Sequence, residues 1–198
     1  MKKYILSLLF GCTLISAGIP VQSTYILTKT YSVTILGTSN LRKWEDSVGN
    51  VTGDMVADME EDGSVDFNAI RIEMQVRSIK SDMGPAMDKK TYSALKADAN
   101  PEILFELTAP AKLMQVHPGD HSLSVKGNLT LAGVCRPVIM QVNSFTLGQG
   151  KLQFEGSQSI SMTDYGVKPP TALFGTIKAR PGITIHFKIN FTNKQNEL

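Results

Sequence analysis

Most of the chain beyond Thr30 alternates apolar with polar residues, the period of a sheet with one dry and one wet face. Ile70, Ile72, Met74 and Val76 alternate with Arg71, Glu73, Gln75 and Arg77. Leu123, Val125, Leu129 and Leu131 share one phase of Ser122–Leu131, and Leu152, Phe154, Ile160 and Met162 share one phase of Lys151–Met162. Ile183, Ile185, Phe187, Ile189 and Phe191 face away from Thr184, His186, Lys188 and Asn190. Tyr31–Gly37, Gly53–Glu60, Ile103–Ala109 and Pro137–Phe145 complete about eight predicted strands. Because each has one dry face, the sheet must close on itself or pack on another.

Only Met87 to Ala97 reads as helix, with Asp88 as its N-cap and an end before Asn100-Pro101. Glu61-Asp62-Gly63, Pro118-Gly119-Asp120 and Gly148-Gln149-Gly150 are short turns, which favour an up-and-down order. The predicted fold is therefore all-β: a single antiparallel, lipocalin-like barrel of about eight strands with one short helix, a size at which a barrel can hold one ligand. Met55, Met59, Met74, Met140 and Met162 fall on the dry phase, with the small residues Ala57, Gly127 and Gly156. Methionine fits irregular apolar shapes, and glycine inside a strand marks a bend or a close approach. A partly hollow interior and a filled core with bent strands both fit this pattern.

Composition adds a compartment. The start of the chain is basic at Lys2-Lys3, then apolar from Tyr4 to Ile19, then Val21-Gln22-Ser23, the form of a secretory signal peptide over 1–23 cut after Ser23. The barrel domain then covers 24–198, periplasmic or secreted. Leu9-Phe10-Gly11-Cys12 offers the alternative of a lipoprotein anchored through Cys12. Without Lys2 and Lys3, 18 of the 20 basic residues remain against 18 acidic ones, so no basic excess argues for nucleic acid. Cys135 alone then remains, and the fold must stand without an internal disulfide.

Candidate chemistry is sparse. His117 and His121 could hold a metal but frame an ordinary turn with no third ligand, and His186 falls on a wet phase. Cys135, Ser39 and Ser161 have no visible base. Cys135 lies in Gly133–Pro137, read as a turn between strands, and the acids of Trp44-Glu45-Asp46 read as hydrated loop residues. Three Asn-X-Thr triplets, at Asn50, Asn128 and Asn190, matter only if the host glycosylates. Met162–Gly175 contains Asp164, Tyr165 and Pro169-Pro170 but no nucleophile, base or metal partner. It reads as a cover across one barrel end, with Leu173 and Phe174 buried beneath it. An integral outer-membrane barrel would alternate too, but with one tryptophan and 7% aromatic residues the girdles such barrels need are missing.

Several separated motifs agree in order: Gly37-Thr38-Ser39-Asn40-Leu41 followed by Trp44, Ser78-Ile79-Lys80-Ser81, and Met87-Asp88-Lys89-Lys90-Thr91-Tyr92. Pro101-Glu102-Ile103-Leu104-Phe105, Gly127 to Val134 and Met162-Thr163-Asp164-Tyr165-Gly166 follow. In these the chain resembles the YceI-like proteins from about Tyr31 to Phe191. The resemblance implies an extended lipocalin-like barrel, exported, with a tunnel for a long isoprenoid or similar amphiphile, acting as a carrier and not as an enzyme. It implies no cofactor other than a bound isoprenoid lipid or quinone. A membrane or membrane redox protein would be donor or acceptor. Where many members have a histidine and an acid before the tryptophan, this chain has Arg42-Lys43, suited to an anionic headgroup if the pair faces the mouth and otherwise a solvated loop.

The expected ligand-binding residues are Met55, Ala57, Met59, Ile72, Met74, Phe105, Val125, Gly127, Met140, Phe154, Gly156, Met162, Phe174 and Phe187. A structural barrel with a filled core and an enzyme acting on a lipid-like substrate remain the alternatives.

Overall fold

A computed structural model describes residues 21–60, 64–113, 121–148 and 150–197. Eight strands form the wall: β1 (Val21–Ser39), β3 (Val51–Met59), β4 (Val65–Gln75), β6 (Glu102–Leu107), β8 (His121–Leu131), β9 (Val134–Gly148), β10 (Lys151–Ser161) and β12 (Ile177–Asn193). Each pairs antiparallel with the next in that order, and β12 returns to β1, so the sheet closes as an up-and-down barrel. All eight overlap the strands predicted from alternation, although β1 and β12 begin earlier than expected and the expected strand through Val76 and Arg77 ends at Gln75, where a 3-10 turn, Val76–Ser78, follows. Four short strands are added: β2 (Lys43–Val48), β5 (Ile79–Ser81), β7 (Ala111–Leu113) and β11 (Thr171–Ala172).

The length of β1 makes the additions possible. Its first part, Val21 to Ile26, pairs with β3, and its last part, Thr34 to Thr38, pairs with β2, whose outer edge takes β5. The barrel thus has a lower end, where Val21 and Asn193 lie, and an upper end built from β2, β5, the helix and the segment after β10. Val21, Gln22 and Ser23 pair with Met59, Asp58 and Ala57. The rest of the expected leader lies outside the described residues, as do His117 and the side chain of His121.

The helix α1 runs Pro85–Ala94, not Met87–Ala97, and its N-cap is Gly84 rather than Asp88. Gly84 sits at φ 87, which glycine alone adopts cheaply, and Pro85 opens the first turn without an N–H to satisfy. Asp88 turns inward instead. Its carboxylate accepts the Ser81 N–H at 2.8 Å and faces Lys80 Nζ at 3.2 Å, fastening α1 to β5. The backbone N–H bond is the main cause holding the Asp88 carboxyl below the usual carboxylate range. Tyr92 adds a second fastening, its hydroxyl donating to the Ile79 carbonyl at 2.8 Å.

Between β8 and β9 the turn is only Ala132-Gly133, both at positive φ (51 and 82), the geometry of a tight two-residue hairpin. The turn expected over Gly133–Pro137 is therefore shorter, and Cys135 sits in β9 as an exposed free thiol.

The apolar phase points inward and the charged phase outward. Glu106, Lys126 and Lys188 are exposed, and ion pairs such as Lys188–Glu155 at 2.6 Å lie on the outer face. That is the reverse of a barrel embedded in lipid.

Candidate functional site: an apolar tunnel closed below and capped above

The interior is filled at one end and hollow at the other. Near the lower end, Met55, Ala57, Phe67, Leu152 and Phe191 are almost wholly buried. The rings of Phe67, Phe154 and Phe191 stack edge to face, with centroids 5.5 and 5.9 Å apart, and form a plug. Above it Ile70, Met74, Met140, Ile185 and Phe187 face inward yet remain only partly buried, because they border empty space and not another side chain.

Three cavities follow one another along that space. The first, of about 100 Å³, lies over the plug and includes Ile72, Phe105, Val125, Met140, Phe154 and Phe187 in its wall. The second, of about 80 Å³, shares Val33, Met74, Leu129 and Ile185 with it and extends under α1 to Met162 and Val167. The third, of about 70 Å³, shares Trp44, Asp46, Thr91 and Pro170 with the second and runs out between α1 and the turn at Leu41. Inward positions on β12 from Phe191 to Ile183 alone cover about 26 Å of strand. The space has the proportions of a chain.

The glycines make room for this bore through close approach, and what approaches is an aromatic ring. A Cβ on Gly127 would stand 2.3 Å from the Phe105 ring, one on Gly156 2.7 Å from Phe187, and one on Gly37 2.0 Å from Trp44. Gly156 and Phe187 are directly paired, as are Gly37 and Trp44. Each glycine lets an aromatic ring from the neighbouring strand lie down against the wall, where it narrows the lumen least.

The expected site residues separate accordingly. Ile72, Met74, Phe105, Val125, Met140, Phe154 and Phe187 line the first cavity, and Met162 lines the second. Met55 and Ala57 lie in the filled end. The side chain of Met59 is outside the described residues. Gly127 and Gly156 lie beneath rings. Phe174 is fully exposed at 110% and Leu173 at 66%, so they do not form the underside of the cover. The Met162–Gly175 segment does close the upper end, but through Met162, Tyr165, Val167 and Pro170.

Two polar residues of the tunnel escaped the sequence reading. Gln158 is the polar side chain in the wall of the first cavity, and the phase of Leu152, Phe154, Ile160 and Met162 carried through position 158 would have found it. Asp46, read as a hydrated loop acid, is buried on β2 and lines the second and third cavities. Burial is the main cause raising its carboxyl above the usual range, opposed by a hydrogen bond from Ser81 and reinforced by Asp82 and Asp88. The Trp44 indole N–H, also buried, has no partner among the described residues. Of the Arg42-Lys43 pair, Arg42 borders the third cavity and is joined to Asp82 at 3.3 Å, while Lys43 is exposed.

Tyr165 is buried, which chiefly raises its phenol above the usual range, whereas Asp164 beside it is exposed. His186 is exposed on the outer face.

Several of the sequence motifs converge in space. Gly37–Leu41, Trp44, Ser78–Ser81, Met87–Tyr92 and Met162–Gly166 all gather at the upper end, around the mouth of the tunnel. Fold and site together define a lipocalin-like barrel with an apolar lengthwise tunnel. The chain matches the YceI-like domain over residues 26–191, and it belongs to that family. A UPF0312 protein of Pseudomonas paraeruginosa is 28% identical over 185 residues, covering 85% of this chain and 88% of the relative. Among solved structures, a polyisoprenoid binding domain from Saccharophagus degradans superposes with a TM-score of 0.64 at 10% identity, over 85% of this chain and 98% of that one. Burkholderia cenocepacia BcnA does so with 0.60 at 16% identity, over 81% and 95%. At such identities these likenesses concern the fold.

Proposed function

We propose that this protein is an exported carrier that holds one long isoprenoid or similar amphiphile, and that it binds without converting it. The observation that carries the reading is the run of inward-facing but incompletely buried apolar side chains along three successive cavities. Leaving apolar surface without a packing partner forfeits dispersion contacts, and filling it with an apolar chain recovers them. The name of the Saccharophagus degradans neighbour, a polyisoprenoid binding domain, agrees with a ligand of this shape.

In this reading the chain end lies over the Phe154–Phe191 plug and the polar end lies at the third cavity, among Ser39, Arg42, Asp46, Ser81 and Thr91. A carrier role in place of catalysis is supported by the wall of the first cavity, which offers methyl, thioether and phenyl surface to the ligand and one amide, Gln158. Export is supported by the basic and then apolar start of the chain. The donor and acceptor of the ligand would be a membrane or a membrane-bound redox protein.

Titration of delipidated protein with a long polyprenol or isoprenoid quinone tests the binding, with Trp44, the sole tryptophan, as reporter at the mouth. A saturable change in its emission is expected. Emission that moves no more than free tryptophan does at the same concentrations would overturn the reading. For export, the terminus of protein recovered from the periplasm is expected to begin at Thr24. Recovery of the uncut chain in the cytoplasm would refute it.

A further inference from the structure

Among the described residues five large apolar side chains are exposed, Leu41, Ile139, Leu147, Leu173 and Phe174, and three of them, Leu41, Leu173 and Phe174, lie in two turns tied to each other. Leu173 and Phe174 are adjacent, 66% and 110% exposed, and both sit in the left-handed backbone region, at φ 46 and 54. Large L side chains avoid that region, and here the strained turn turns two apolar groups into solvent. Leu41, 70% exposed, occupies the neighbouring turn between β1 and β2. The two turns are tied into one unit. Asn40 donates its side-chain amide to the Thr176 carbonyl at 2.9 Å and accepts the Lys178 N–H at 2.8 Å. Ser39 is paired with Ala179. Lys90 of α1 reaches the Thr171 carbonyl.

This unit frames the tunnel mouth. Leu41, Ala172 and Ile177 belong to it and also border the third cavity, beside the polar Ser39 and Arg42, so the tip adjoins the tunnel mouth. Its charge is one-sided: Arg42, Lys43, Lys168, Lys178 and Arg180 are exposed within residues 38–45 and 166–182, against the single acid Glu45. Arg42 is shared with Asp82, and the other four bases have no ion pair among the described residues. Protruding apolar side chains inside a basic collar fit the interface of an anionic bilayer, where lipid covers the former and headgroups neutralise the latter.

We infer that the Leu41, Leu173 and Phe174 tip is a membrane-docking surface, which inserts into the headgroup region of an anionic bilayer and sets the tunnel mouth against the lipid. The surface stands whether or not the tunnel holds an isoprenoid. If it does, docking gives the ligand a route between bilayer and barrel that never crosses water.

The test uses vesicles of phosphatidylcholine mixed with phosphatidylglycerol, and of phosphatidylcholine alone, with variants sharing one N terminus. Phe174→Trp places a reporter at the tip. On mixed vesicles its emission should shift to the blue and be quenched by brominated acyl chains, while Trp44 in the parent is little changed. Phe174→Ser with Leu173→Ser should lower binding roughly tenfold or more, from the apolar area no longer buried. Lys178→Gln should lower it roughly fivefold on mixed vesicles only, an effect erased by high salt. Thermal melting of each variant checks the fold, and since all these positions are exposed, it should be unchanged. Emission from Phe174→Trp that stays at its water-exposed value on mixed vesicles would overturn the proposal, as would serine variants that bind as the parent does. Vesicle binding and the polyprenol titration have separate readouts, so either idea can fail without the other.

Discussion

Replacing Gly156 with alanine separates a hollow barrel from a filled one. The new methyl would lie 2.7 and 3.2 Å from two carbons of the Phe187 ring and 3.1 Å from the Gln141 carbonyl oxygen. Carbon atoms settle at about 3.5–4.0 Å, so the ring must retreat by about 1 Å. One direction is open to it, the first cavity, whose wall Phe187 forms. A phenyl ring pushed about 1 Å toward a space of about 100 Å³ would narrow it and crowd a ligand there. If the lumen is empty or lipid-filled, the ring moves at little cost and the ligand is displaced. We expect destabilisation near ~1 kcal/mol, the low end of the overpacking range. For a domain of this size that is a fall in Tm of about 2–4 °C. Melting followed by circular dichroism gives the first quantity, and native mass spectrometry of the same sample gives lipid per folded molecule. A Tm lowered by about 6–12 °C, the mark of a ~3 kcal/mol overpacked core, with lipid content unchanged would refute the reasoning.

Other outcomes follow from the same geometry. Phe67→Ala, at a fully buried member of the plug, should cost about 3–5 kcal/mol in denaturant unfolding and extend the tunnel downward, so that longer polyprenols bind relatively better. Asp46→Asn should raise Tm at neutral pH, because burial lifts the folded-state pKa and disfavours the charged form. Above that pKa the wild type carries the penalty, and below the unfolded value of 3.8 both states are protonated, so the advantage should disappear in acid. Asp88→Ala leaves the Ser81 N–H without its acceptor and should cost ~1–3 kcal/mol at neutral pH. Its folded pKa is lowered, so the wild type loses this contribution as pH falls through that value, and variant and parent should converge in acid.

Alternation carried the architecture. Each of the eight wall strands has a largely apolar dry phase, and a sheet with one dry face must close on itself or pack on another. β2 was illegible for a physical reason: its inward positions are Trp44, Asp46 and Val48, and a carboxyl on the dry phase breaks the apolar period. β5, β7 and β11 are two or three residues long, too short for any period to register. The helix was placed by its apolar residues, but its start was not. Asp88 has the chemistry of a cap and is used to bind Ser81 across to β5, a partner that only tertiary structure supplies.

The site was legible by phase and not by depth. Position along a strand decides whether a dry-phase residue meets the plug or the tunnel. Met55 and Met74 have the same character in sequence and different surroundings in the fold. Glycines on the dry phase pointed correctly to close approach, but what approaches is an aromatic ring of the neighbouring strand. Leu173 and Phe174 are apolar in a stretch expected at the rim, and only the positive φ of the turn reveals that they point outward.

The central claim is that the tunnel carries an amphiphile. Native mass spectrometry of freshly purified protein, followed by solvent extraction and identification of what is released, tests it most directly. One long apolar or amphiphilic molecule per chain, lost on extraction and regained on adding a polyprenol or isoprenoid quinone, is the predicted result. A clean apo mass under several expression conditions, with no uptake on titration, would contradict it.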